Sequence, residues 1–188
     1  MKRLIALTIA AACSSTAFAA PETFTLDVNH TKPRFEYNHF GYSDQVSRLD
    51  TVSGTITIDR VAKTGSVDVT IDAKSVDTGS TVFNGHIQGE EFFDTEKYPT
   101  ITYKSDKVNF EGDKVVSVDG NLTIKGITKP VTLTVTSFLC MPHPMLKKEA
   151  CGANAVAHVK RSDFNMGKYV PYVSDEVTLS IPVESVIQ

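Results

Sequence analysis

Apolar and polar residues alternate along most of this chain. Thr55–Asp59 and Ser66–Asp72 alternate strictly, and the same period runs through Ile101–Ser105, Val108–Phe110, Val115–Ile124, Val131–Phe138, Ala153–Val159 and Val177–Val183. A period of two puts successive side chains on opposite faces, so each run reads as a strand with one apolar face. Turn-forming groups separate the runs: Lys63-Thr64-Gly65, Glu111-Gly112-Asp113, Lys125-Gly126 and Pro142-His143-Pro144. Near-regular strands of this kind predict an antiparallel sandwich or barrel. No internal repeat, low-complexity segment or linker interrupts the pattern, so one domain over residues 20–188 is expected.

Two segments depart from plain alternation. At 34–39, Phe35, Tyr37 and His39 share one face while Arg34, Glu36 and Asn38 share the other. Two aromatics and a histidine in an inward row suit an apolar lining with a wet end, or an ordinary aromatic core row. From about Ser80 to Phe93 the pattern turns helical, with Thr78 or Ser80 placed to cap it. Val82, Phe83, His86, Ile87 and Phe93 gather toward one face. Gly85 and Gly89 each cost about 1 kcal/mol relative to alanine in a helix. The segment is therefore a marginal helix with large side chains, suited to covering one end of a barrel or to serving as a crossover. Tyr98-Pro99 stops it and starts the next strand extended.

The first nineteen residues read as a signal peptide: Lys2 and Arg3, a nine-residue apolar run from Leu4 to Ala12, and Ala17-Phe18-Ala19 before the cleavage point. A lipoprotein signal ending at Cys13 is a poorer fit, because three alanines precede it. Without Lys2 and Arg3 the formal charge goes from −3 to −5. No basic stripe is present, so nucleic acid is not an expected partner, and the acidic balance argues against steering to anionic membrane. The remaining cysteines, Cys140 and Cys151, make an even pair that reads as a disulfide in an oxidising compartment.

Catalytic and metal signatures are missing from the sequence. The histidines His30, His39, His86, His143 and His158 show no ligand spacing, and no nucleophile-elbow, zincin, P-loop or dinucleotide motif is found. Neither a catalytic set nor a metal site is expected. An eight-stranded barrel can enclose one small ligand, and apolar pockets with a few polar groups are the usual small-molecule sites.

Four ordered blocks carry a family resemblance. HTKPRFEYNHFGYS, SVDTG with HIQGEEFFDTEKYPTITYKS, VDGNLTIKGITKPVTL and VKRSDFNMGKYVPYVSDEVTLSIPVE each resemble a segment of the YceI-like family of periplasmic proteins. The resemblance implies an all-β fold, an extended antiparallel eight-stranded lipocalin-like barrel with one short helical lid segment. It also implies an internal cavity for a long isoprenoid lipid, such as an isoprenoid quinone or polyprenyl phosphate, with fatty-acid-type amphiphiles as the alternative. No other cofactor is expected. Phe35, Tyr37, Phe40, Phe83, Phe92, Phe138, Phe164 and Met166 are the residues expected to line the tail channel, and His39, His86 and Arg161 to meet a head group. Each histidine has an alternative structural role, and Arg161 an alternative ion pair with Asp163 or another carboxylate.

The chain departs from the family pattern at Phe83-Asn84-Gly85-His86, where an Arg-Asp-x-His is common, at Lys125 in place of His and at Asn165 in place of Gly. The loss of a positive charge and an acid near the lid argues against a diphosphate head, and Phe83 favours a less charged one, such as a quinone. The resulting expectation is a periplasmic carrier or scavenger. The rivals are an interaction protein with a filled core and an enzyme using His39 and His86 on a lipid head. A homodimer and transient contact with inner-membrane proteins are left open.

Overall fold

The computed structural model describes residues 20–188; the expected signal peptide, with Cys13, lies outside them. Among the described residues the strands are β1 (Glu22–Leu26), β2 (Arg34–His39), β3 (Ser43–Leu49), β4 (Val52–Asp59), β5 (Thr64–Asp72) and β6 (Val76–Asp77). After the helix α1 (Thr81–Ile87) come β7 (Thr100–Glu111), β8 (Lys114–Ile124), β9 (Ile127–Pro142), β10 (Glu149–Lys160) and β11 (Glu176–Ile187). All pairings are antiparallel.

The eleven strands make eight staves. β1 and β2 both pair with β11, at Phe24↔Ile187 and at Leu179↔Phe35, so they are two halves of one broken strand. β4 and β3 pair with them in turn, and β5 and β6 pair with β4 and β3. With β7 to β11 this gives an up-and-down barrel closed by β11 on the first stave. Closure removes the sheet edges that would otherwise template aggregation.

The break in the first stave, residues 27–33, is sealed by a side chain. Thr31 is 2% exposed. Its Oγ1 donates to the Glu184 carbonyl and accepts from the Glu184 N–H, both at 3.1 Å. One threonine thus stands in for the ladder bonds missing between the two halves.

Bulges reset the inward phase in several strands. In β7, Ile101 and Tyr103 face in; after the register shift between Lys104 and Lys107, Val108 and Phe110 do. The Ser105 hydroxyl caps this bulge, donating to Asp119 O and accepting from Lys107 N. Ile101–Ser105 and Val108–Phe110, read as separate runs, are therefore one strand. In β9 the phase passes from Val131, Leu133 and Val135 to Phe138 across a bulge opposite Asn154/Ala155.

The helix is shorter than the 80–93 span expected. Ser80 caps it, its hydroxyl accepting from Phe83 N, and it ends at Ile87. The chain then turns through Gly89 to Tyr98, with Phe93 N bonded to Ile87 O and Tyr98 N to Asp94 O. The glycines and the left-handed Asp94 stop propagation, and Phe92 and Phe93 reach inward from turns. Val82, placed on the inward face by periodicity, is 86% exposed. Cys140 and Cys151 are register partners on β9 and β10 and are joined as a disulfide at the barrel end away from α1.

Candidate functional site

The inward faces of the staves surround a cavity of about 480 Å³. Its walls are mainly Val, Ile, Leu and Phe, and the reason it stays open lies on β10. That strand contributes Gly152, Ala153 and Ala155 to the lining, where β11 opposite carries Leu179, Ile181 and Val183. Tyr103 is held flat against the wall. Its hydroxyl lies 2.9 Å from both Val118 O and Val131 O. Its ring occupies the space over Gly120, where a Cβ would come within 2.6 Å of it. Burial pushes the Tyr103 phenol well above its ordinary pKa, so it stays a neutral donor.

The cavity opens at the α1 end. There the lining includes the exposed residues His39, Phe40, His86 and Tyr169, whereas at the opposite end Ile58, Val108, Val115 and Cys151 are buried. Aromatic rings run from the surface inward. Phe40 stacks on Tyr172 at 6.1 Å and meets His39 at 4.6 Å. Across the opening, Phe83, His86, Phe92 and Tyr169 follow one another at 5.7, 5.0 and 6.4 Å. Deeper in, Phe35 packs edge-on against Phe93 at 5.9 Å. Phe40 and Gly41, at φ 56° and 75°, form the β2–β3 turn closed by Tyr42 N to His39 O. A positive φ costs a bulky residue energy, so a phenylalanine there marks a constrained position rather than a free turn.

All eleven residues singled out from the sequence border this one cavity. Phe35, Tyr37, Phe138, Phe164 and Met166 lie along the interior, and His39, Phe40, Phe83, His86 and Phe92 gather at the opening. Arg161 borders the cavity, and its guanidinium is held by backbone carbonyls. It is not paired with Asp163. Nε donates to Ser174 O, Nη1 to Met166 O and Lys168 O, and Nη2 to Val173 O. Four of its five N–H donors are thus spent on backbone carbonyls, which fixes the 166–174 loop beside the opening. Burial lowers its pKa from the ordinary value, while Asp175 and Tyr37 act against that shift. Burial raises the Tyr37 phenol.

The three departures from the family pattern have structural work. Asn84 Oδ1 accepts from Thr78 N and Thr78 Oγ1, closing the entry to α1. Lys125 is buried and donates to Glu90 O and to Asn165 O, joining the post-helix turns to the β10–β11 connection. Asn165 holds the left-handed conformation at φ 56° that glycine adopts freely and asparagine tolerates. Tyr169 sits in an irregular loop with no periodic signal, and the spacious wall of β10 gives none either. Tyr103 was legible, since it shares the inward phase of Ile101. His30 lies 2.8 Å from Asp27 and 3.8 Å from Glu184 on the surface.

A family model described as the YceI-like domain matches residues 24–185. Protein YceI of Salmonella arizonae is 34% identical over 190 aligned positions, covering 100% of this chain and 98% of its own. Among solved structures, Burkholderia cenocepacia BcnA superposes with a TM-score of 0.73 at 26% identity, covering 85% of this chain and 98% of its own. A polyisoprenoid binding domain from Saccharophagus degradans shares the fold at a TM-score of 0.66 and 18% identity, covering 88% and 98%.

Proposed function

This chain belongs to the YceI-like family, and from that premise we propose that it binds a long-chain isoprenoid lipid inside its barrel and acts as a periplasmic carrier or scavenger, not as an enzyme. The observation that carries the reading is the cavity itself: apolar along its length, about 480 Å³, and bordered by rings at its opening. An open cavity of this kind argues against a filled-core interaction protein. Burying an apolar chain is favourable by about 0.8 kcal/mol per methylene-sized group, so several isoprene units suffice for tight binding without specific polar contacts.

The head group best supported is neutral, as in an isoprenoid quinone. Phe83 stands at the opening where a basic residue is common in the family. Three cations near the opening are committed: Arg161 and Lys125 to carbonyls, Lys168 to Glu91 at 2.6 Å. A diphosphate would gain little from these three to offset its desolvation.

The test is native mass spectrometry of protein purified from its own periplasm, followed by solvent extraction and identification of the lipid. One isoprenoid per chain is expected, with lower occupancy in Phe83→Asp, which sets a charge against the apolar tail. A folded, ligand-free protein whose spectrum is unmoved by added quinones, polyprenyl phosphates or fatty acids would overturn the proposal.

A further inference from the structure

The opening is surrounded by apolar surface that the cavity does not use. Tyr42 is 88% exposed and Tyr172 69% exposed, and neither borders the cavity. Val82, Val170, Tyr169 and Phe40 are also exposed. These residues come from three separate segments, the β2–β3 turn, α1 and the 166–174 loop, and they converge around one opening. We propose that this rim is a docking surface for a lipid bilayer, through which cargo passes between membrane and cavity. The inference rests on the lipid-carrier reading.

Three observations select a bilayer as the occupant. First, the rim is continuous with the proposed lipid site: Tyr172 stacks on Phe40, and Tyr169 packs against Phe92, so surface rings lead directly to lining rings. Second, the rim is rich in tyrosine and valine. Tyrosine suits a water–hydrocarbon boundary because its ring is apolar and its hydroxyl stays wet. Third, two lysines at this end are paired, Lys168 with Glu91 at 2.6 Å and Lys74 with Glu96 at 2.8 Å. Those two add little attraction to anionic lipid, and the apolar rim fits a net-neutral, zwitterionic membrane through apolar insertion. Contiguous exposed apolar surface around a cavity mouth is otherwise a solubility cost.

The experiment is flotation of the full protein with phosphatidylcholine vesicles, comparing wild type with Tyr42→Ser/Tyr172→Ser. A control, Leu139→Ser/Met145→Ser, removes exposed apolar groups at the far end. The rim variant is expected to lose vesicle binding about tenfold, with the wild-type fraction little changed when salt rises to about 0.5 M. The far-end variant should float like wild type. Lipid extracted from the rim variant should equal that from wild type, since neither tyrosine borders the cavity. Equal flotation of rim variant and wild type, no flotation of wild type, or loss confined to the far-end variant would each overturn the proposal. So would a dimer by sedimentation velocity that the rim variant abolishes without any vesicle binding; that result assigns the surface to a second copy. Cargo without flotation refutes docking and leaves the carrier reading standing. Flotation without cargo does the reverse.

Discussion

At the break in the first stave, His30 lies between carboxylates from both sides of the seam, Asp27 at 2.8 Å and Glu184 at 3.8 Å. The Asp27 hydrogen bond raises the His30 pKa above its ordinary 6.5, helped by the charges of Asp27 and Glu184. The same bond to His30 lowers Asp27 below 3.8. The stabilisation from the raised histidine is complete below about pH 6.5 and is lost as pH rises through its folded value. That from the lowered aspartate is complete above about pH 3.8 and is lost as pH falls through its folded value. The Tm difference between wild type and His30→Asn is therefore expected to be greatest near pH 5 and to shrink above pH 7. A difference that is flat with pH would show that the histidine does not act through its charge. The effect should be small, because the side chains are solvated. Asp27 and His30, three apart, were visible in the sequence. Glu184 was not, because the register of a distant strand brings it there. Arg161 is a second case: its carbonyl acceptors lie in a loop without periodicity, so no sequence pattern points to them.

At the scale of the element, β10 decides how much space the barrel encloses. Its small inward residues, with Ala155 buried, leave room that larger side chains would fill. Ala155→Leu is expected to raise Tm slightly in the lipid-free protein, by filling space, and to lower lipid occupancy at least several-fold. A fall in Tm with unchanged occupancy would mean that Ala155 faces a packed wall. The barrel staves were legible because inward phase repeats every second residue over long runs. The broken pieces were not. β1 escaped notice although ETFTL alternates, and β3, SDQVSRL, is too polar to signal a strand. β3 is held by its pairing with β2, not by its own pattern. The bulges in β7 and β9 appear in the sequence only as skipped beats. The helical reading overran because Phe93 fits a helical face while a turn delivers it inward.

For the whole molecule, the disulfide staples the end opposite the opening. Replacing both Cys140 and Cys151 by alanine is expected to lower stability by about 2–3 kcal/mol, on the chain-entropy account of a loop this short. A urea midpoint reduced accordingly would bear this out. An unchanged midpoint would leave the bond without a stabilising role. The pairing was readable from the two cysteines left outside the expected signal peptide; strand spacing left sandwich or barrel open, and the family resemblance pointed to the barrel. The closure was not, because it depends on one long strand that receives two halves of another. That arrangement has a kinetic consequence. Phe24 pairs with Ile187, so the step that makes the sheet a cylinder joins residues from nearly opposite ends of the chain. Its loop entropy falls due only after the hairpins from β4 to β11 can form locally. Folding is thus expected to proceed as an open, curling sheet whose last act is to meet itself, with β11 as the strand on which everything waits.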